Sequence, residues 1–266
     1  MNLELDNLHV LITGGSKGIG LACARGFLAE GARVTLVSRS LENLRSAREA
    51  LNAEFADFTF RVNVIAADLR DAAAAEAAVD EVEREFGPVD VLVNSAGAAK
   101  RTPAAELTAA SWHDAMQAKF FTYIHVINPL IKKMGERGRG SVVNVIGSGG
   151  KVAAVTHLAG GSANAALMLA SAGFAAAYAG KGVRVNAVNP GLTLTERLQE
   201  GMQAEARQQG ITMEEAVTRA KATRPLGRIA EPSEIADAVV YLASNRASYI
   251  TGAVVAMDGA VTPMVV

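Results

Sequence analysis

Short runs of β-branched and aliphatic residues alternate with longer amphipathic stretches along the whole chain. The runs are 8–12 LHVLI, 33–37 RVTLV, 60–66 FRVNVIA, 89–93 VDVLV, 141–146 SVVNVI, 183–188 VRVNAV and 253–257 AVVAM. Each is close to continuously apolar rather than alternating, as strands covered on both faces are. With helical stretches between them, they predict a seven-stranded parallel sheet flanked by helices on both faces, a doubly wound α/β fold of the Rossmann type. Glycines close several of the predicted helices, including Gly31, Gly87 and Gly182. No linker, repeat or low-complexity tract divides the chain, and 72–78 AAAAEAA is a strong helix former. The reading is therefore one domain over 1–266, with one irregular insertion at 195–224 expected to form a helical flap over the substrate pocket.

Residues 13–20, TGGSKGIG, follow the first strand and open the first helix. Gly14, Gly18 and Gly20 let backbone approach a pyrophosphate, which free N–H groups at the helix N-terminus attract; Ser16, Lys17 and Ile19 complete the loop. Three residues separate the first two glycines, unlike the usual dinucleotide fingerprint. That spacing, with NSAG at 94–97 and NPG at 189–191, resembles the short-chain dehydrogenase/reductase family, and the resemblance covers nearly the whole chain. ADL at 67–69 is similar to the family's adenine-side motif, so Asp68 is expected to accept from the base with Leu69 beside it. GPVDVLVNSAG is similar to the fourth strand and its turn, which carries Asn94, Ala96 and Gly97. GVRVNAVNPGLTLT is similar to the sixth strand and nicotinamide loop, where Pro190 and Gly191 shape the backbone, Thr193 follows, and Thr195 offers a hydroxyl to the cofactor. The segment from Arg224 to Ala260 is similar to the C-terminal signature almost throughout. The resemblance implies hydride transfer between a nicotinamide and a small carbonyl or alcohol. It also implies a homodimer or homotetramer built through the fourth and fifth helices and the C-terminal segment.

Cofactor choice follows from charge. NAD binders place an acid after the second strand for the ribose 2′-hydroxyl, whereas NADP binders supply a cation. Here VSRS puts Arg39 at that place, and Lys17 precedes Gly18 where NADP-dependent relatives often carry a second basic residue. NADP(H) is the preferred cofactor, with NAD(H) left open; the alternative is that both cations are solvated surface residues.

The family's catalytic pattern is an Asn on the fourth helix, a Ser, and Tyr and Lys four residues apart on the fifth. Counting back from RVN at 184–186, the family's spacing puts the Tyr at Gly160 and the Lys at Asn164. Counting forward from VVN at 142–144 puts the Ser at Gly147, and counting seven from Trp112 puts the Asn at Lys119. All four are changed while both flanks stay in register. Gly160 is expected to leave a void in front of the nicotinamide, with Asn164 still near the ribose. Three side chains are candidates to serve there: His157, an imidazole one helical turn before Gly160; Lys119, which restores the charge lost at Asn164; and Ser148, one residue past the expected serine. The bland alternatives are that His157 caps the helix, that Lys119 pairs with Asp114 or reaches solvent, and that Ser148 satisfies turn backbone. A catalytically silent dinucleotide-binding sensor or partner subunit is the competing function.

Composition narrows the partners. Half of the residues are hydrophobic, a fifth are charged and the formal net charge is −1, so no basic footprint points to nucleic acid or an anionic membrane. Cys23 is the only cysteine and is expected to be a buried thiol. No segment reads as a signal peptide or membrane span, and a cytoplasmic location is expected. No Cys/His/carboxylate cluster has metal-ligand spacing, so no metal is expected; His9, His113 and His125 are taken as structural or exposed.

Overall fold

The computed structural model describes residues 1–55, 61–97 and 100–264. Seven strands form one parallel sheet: β1 (His9–Thr13), β2 (Arg33–Ser38), β3 (Val62–Ala66), β4 (Val91–Asn94), β5 (Gly140–Val145), β6 (Val183–Pro190) and β7 (Val254–Met257). Phe60, the expected start of the third strand, lies outside the described residues. The order is β3-β2-β1-β4-β5-β6-β7, with β1 and β4 in register from Val10↔Val91 to Thr13↔Asn94. Strand order therefore reverses between β1 and β4, and a crevice opens there beyond the strands' C-terminal ends.

The apolar strand pattern follows from two covered faces. Val10 and Ile12 of β1 enter one core with α1 (Gly18–Ala29), α2 (Leu41–Glu54) and α9 (Pro232–Ala243). Leu11 enters the other with α3 (Ala72–Phe86), α5 (Thr122–Arg137) and α6 (Leu158–Tyr178). Successive side chains point to opposite faces, so both parities must be apolar. Helix starts are set locally: Ser40, Asp71 and Thr195 accept backbone N–H groups at the heads of α2, α3 and α7 (Glu196–Gln209). Cys23 is buried in α1, where loss of water pushes its thiol up to about 12.

Two features depart from the sequence pattern. The expected fourth helix is broken: α4 (Ala109–Ala115) passes through a π-helical turn, Met116–Phe121, before α5 begins, so the expected fifth helix is α6. Such turns insert an extra residue and re-aim side chains. Second, Leu158–Lys181 is long and apolar enough to cross a membrane by length and composition, where none was expected. Here Ala163, Leu167, Ser171 and Ala175 are buried and the helix packs on β6. The segment 195–224 forms α7 and α8 (Met213–Ala222), which pack on each other.

Candidate active site

Two cavities open along the C-terminal edge of the sheet. One, of about 440 Å³, is lined by Gly14, Ser38, Arg39, Asp68, Leu69, Arg70, Ala96 and Gly97, from the ends of β1 to β4. The other, of about 450 Å³, is lined by Lys119, Ser148, His157, Asn164, Pro190 and Gly191. Gly97 and Arg197 line both, so the two form one crevice across the strand-order reversal.

The glycine turn is built by close approach. A Cβ on Gly14, which has φ +67°, would sit 2.8 Å from the Ala96 backbone, so the β1 and β4 turns meet as only glycine allows. Gly20 lies against Gly14 just as tightly, with a Cβ position 2.3 Å from the Gly14 carbonyl oxygen. Lys17 precedes α1 without a side-chain cap, and the first turn of that helix holds no acid, so among the described residues no side chain answers its leading N–H groups. Ser16 is half-buried in the turn, and Ile19 packs against the core from the first turn of α1.

Charges beside this cleft are arranged differently from expectation. Asp68 is held by the Arg70 guanidinium, which with Arg39 nearby draws its carboxyl down to about 2. An Asp68 so paired is a poor free acceptor for a base, and Arg70 is a cation that motif reading missed. Arg39 is exposed and has no ion pair among the described residues. Lys17, by contrast, is bound to Glu196 at 3.1 Å, so the expected second cation is already partnered. The Thr195 hydroxyl accepts the Leu198 N–H at 3.3 Å, keeping its own O–H as a donor, and the methyl turns toward Gly18. Asn94 holds the scaffold together through its side chain. It is fully buried and its amide joins a chain from Thr13 (3.3 Å) through Asn144 (3.0 Å) to Ser171 (2.9 Å). Its side chain therefore ties β1, β4, β5 and α6 together. Thr193 is also buried, with its hydroxyl near the Gly191 carbonyl at 3.4 Å.

The second cavity brings the three catalytic candidates together. Lys119 lies inside the π-helical turn, only 8% exposed. Its Nζ donates to Tyr123 Oη at 3.0 Å and to the Val145 carbonyl at 3.2 Å, and lies 4.7 Å from the Tyr123 ring centroid. Pairing with Asp114 or escape to solvent is thereby excluded. Burial, with help from Arg197, lowers its ammonium to about 7. Two of the three Nζ positions are occupied by protein, and the residue lines the cavity. Tyr123 itself donates to the Val145 carbonyl, and burial pushes its phenol up. The Lys119–Tyr123 spacing of i, i+4 was the available signal for this pair.

His157 immediately precedes α6 but makes no side-chain cap, so the capping alternative fails. Its Nδ1 is buried without a hydrogen-bond partner among the described residues. Partial burial, then the charges of Arg101, Lys119 and Arg197, hold its pKa below the usual imidazole value. Ser148 opens the turn Ser148–Gly150, and its hydroxyl has no partner among the described residues. Gly147 before it has φ +127°, a backbone that a serine at that place would strain. Asn164 is buried with Oδ1 unpartnered, facing the same cavity, and Gly160 is buried one turn earlier. Arg101, Arg197, Arg224 and Asp258 also line the cavity; none was singled out by motif, because no spacing links them. Among the described residues no group of His, Cys, Asp and Glu could hold a metal ion.

The fold and crevice define a doubly wound α/β protein with an open crevice at the switch point between β1 and β4, the place where such folds take ligands. Residues 14–262 match the family model described as enoyl-(acyl carrier protein) reductase. D-threitol dehydrogenase of Mycolicibacterium smegmatis is 35% identical over 98% of this chain and 95% of its own length. The chain belongs to the short-chain dehydrogenase/reductase family. Among solved structures, L-sorbose reductase from Gluconobacter frateurii, complexed with NADPH and L-sorbose, is 28% identical with a TM-score of 0.93, each chain covered in full. An NADPH-bound short chain oxidoreductase from Pseudomonas aeruginosa PAO1 containing an atypical catalytic center is 30% identical, with a TM-score of 0.88 over 98% of this chain and 100% of that one.

Proposed function

We propose that the protein is an NADP(H)-preferring oxidoreductase that interconverts a small carbonyl and alcohol, with Lys119 as the group that exchanges the proton. The buried Lys119, held by Tyr123 at the wall of the cavity, carries this reading. Gly160 and Asn164 stand where the family's spacing puts Tyr and Lys, so the proton must travel by another route. NADP(H)-dependence is supported by the unanswered N–H groups of α1, by Arg39 and by NADPH in both solved relatives. The glycine turn and Arg39 would hold the pyrophosphate and 2′-phosphate, and Asn164 would reach the ribose side. When bound, the nicotinamide gives or takes the hydride.

The chain's own residues manage the oxygen. The open Nζ position of Lys119 faces the cavity as an N–H when charged and as a lone pair when neutral. A pKa near 7 makes both forms abundant, so the same atom serves as acid in reduction and base in oxidation. Ser148 and neutral His157 hydrogen-bond the reacting oxygen and fix its approach. The segment 195–224 covers the pocket as part of the same domain.

NADPH oxidation against a panel of small carbonyls, beside a direct NADPH-binding measurement, tests this. Turnover should appear, and His157→Ala should lower kcat more than NADPH affinity, as loss of a transition-state contact does. NADPH binding without turnover on any member would overturn the enzymatic reading and favour a silent sensor.

A further inference from the structure

Three arginines face the cavity that holds Lys119, Ser148 and His157, and they come from three separate elements. Arg101 lies on the connection after β4, Arg197 on the first turn of α7, and Arg224 just past α8. Against them the described lining carries one carboxylate, Asp258, whose Oδ2 already accepts the Thr262 N–H at 3.1 Å. None of the three arginines has an ion-pair partner among the described residues. Cations gathered around a small cavity repel one another, and both titratable groups of the site register that field: Arg197 acts on Lys119, and Arg101 and Arg197 act on His157.

The cofactor's phosphates do not account for this charge. On the NADP(H) reading above, their places are the glycine turn after β1 and Arg39; Gly14 and Arg39 line the other cavity, whose lining includes neither Arg101 nor Arg224. Arg197 alone borders both. The backbone beside Arg101 and the guanidinium of Arg224 are both held in place. Thr102 N–H donates to the Thr156 carbonyl at 2.9 Å, which fastens the Arg101 segment to the loop that carries His157. Arg224 Nη1 is fixed by the Ala220 carbonyl and, at 3.0 Å, by Thr223 Oγ1.

Building on the redox reading above, we infer that the substrate carries an oxyanion group, a carboxylate or a phosphate, beside the carbinol or carbonyl that reacts. Arg224 and Arg101 receive that group, with Arg197 at the boundary with the cofactor. Guanidinium forks pair with the coplanar oxygens of a carboxylate or with two phosphate oxygens, and a neutral polyol offers them nothing equivalent. A cavity of about 450 Å³ suits a small hydroxy acid or sugar phosphate.

The test uses the NADPH-loaded protein and three six-carbon alcohols: sorbitol, gluconate and sorbitol 6-phosphate. NADPH cannot reduce an alcohol, so calorimetric titration reads binding alone. At least one anion should bind tenfold or more tightly than sorbitol, with the preference weakening as salt rises. Whether gluconate or the phosphate binds more tightly identifies the oxyanion. In Arg224→Gln and Arg101→Gln the ratio of anion to sorbitol affinity should fall at least tenfold, and Arg224→Lys should restore part of it. Equal affinity for all three probes, or equal loss for all three in the variants, overturns the inference. The redox reading fails separately: arginine-dependent anion binding without NADPH oxidation by any matching keto acid or ketose phosphate refutes that reading and leaves the arginines as an anion-binding site.

Discussion

Lys119→Met separates a buried functional lysine from an ordinary structural one. The folded protein lowers this ammonium from 10.5 to about 7, chiefly by burial. At about 1.4 kcal/mol for each tenfold change in proton affinity, the drop corresponds to roughly 5 kcal/mol against the charged form. The unfolded chain holds this proton more tightly. The penalty is therefore complete below about pH 7, shrinks as pH rises, and vanishes above 10.5, where both states are neutral. Methionine has comparable length and no charge. It forfeits the bonds from Nζ to Tyr123 and Val145, at about 1 kcal/mol each. Tyr123 keeps its own bond to the Val145 carbonyl and is not stranded. The balance makes Lys119→Met more stable than wild type by about 2–3 kcal/mol near pH 6. That advantage should fall to nothing or reverse by about pH 9.5. Urea unfolding of both proteins across that range measures it. A variant less stable than wild type near pH 6, or a difference that does not move with pH, would refute the buried, depressed lysine. In the same variant kcat should drop by about 10²–10⁴, and the limb near pH 7 in the kcat/KM profile should disappear.

Two further outcomes are expected. Arg39→Ala should weaken NADPH binding by roughly ten- to a hundredfold and NADH binding little, read by calorimetry, because Arg70 already neutralises Asp68 and leaves Arg39 for a 2′-phosphate; equal losses would remove the assignment. On α6, Ala175 is buried and Ala176 exposed on a face that also bears Leu169 at 78% exposure. If that face joins copies of the chain, as in the homodimer or homotetramer the family implies, Ala176→Glu should shift light-scattering mass toward monomer. A monomeric wild type at micromolar concentration would end the idea.

The amino-acid sequence by itself determined the layered fold. Continuous apolar runs at both parities, as in Val10, Leu11 and Ile12, are stable only between two covered faces, and that condition is local to each strand. The glycine turn was equally legible, because its need for close approach is a property of the residues in it. Charge partners were not legible. Lys17 meets Glu196 across 179 positions, and the Asn94 side chain bonds Thr13 and Asn144 across strands distant in sequence. The break at Met116–Phe121 was hidden as well, since no residue type marks the one-residue insertion of a π-helical turn, which shifts the side chains that face inward and leaves Lys119 buried beside Tyr123. Arg101, Arg197 and Arg224 lie far apart in sequence and share a cavity only because the connection after β4 and the two helices at 196–222 converge over the ends of the strands. Side-chain period is set by neighbours along the chain, whereas the electrostatics of a cavity is set by whatever the fold brings to its walls, and that only the tertiary structure decides.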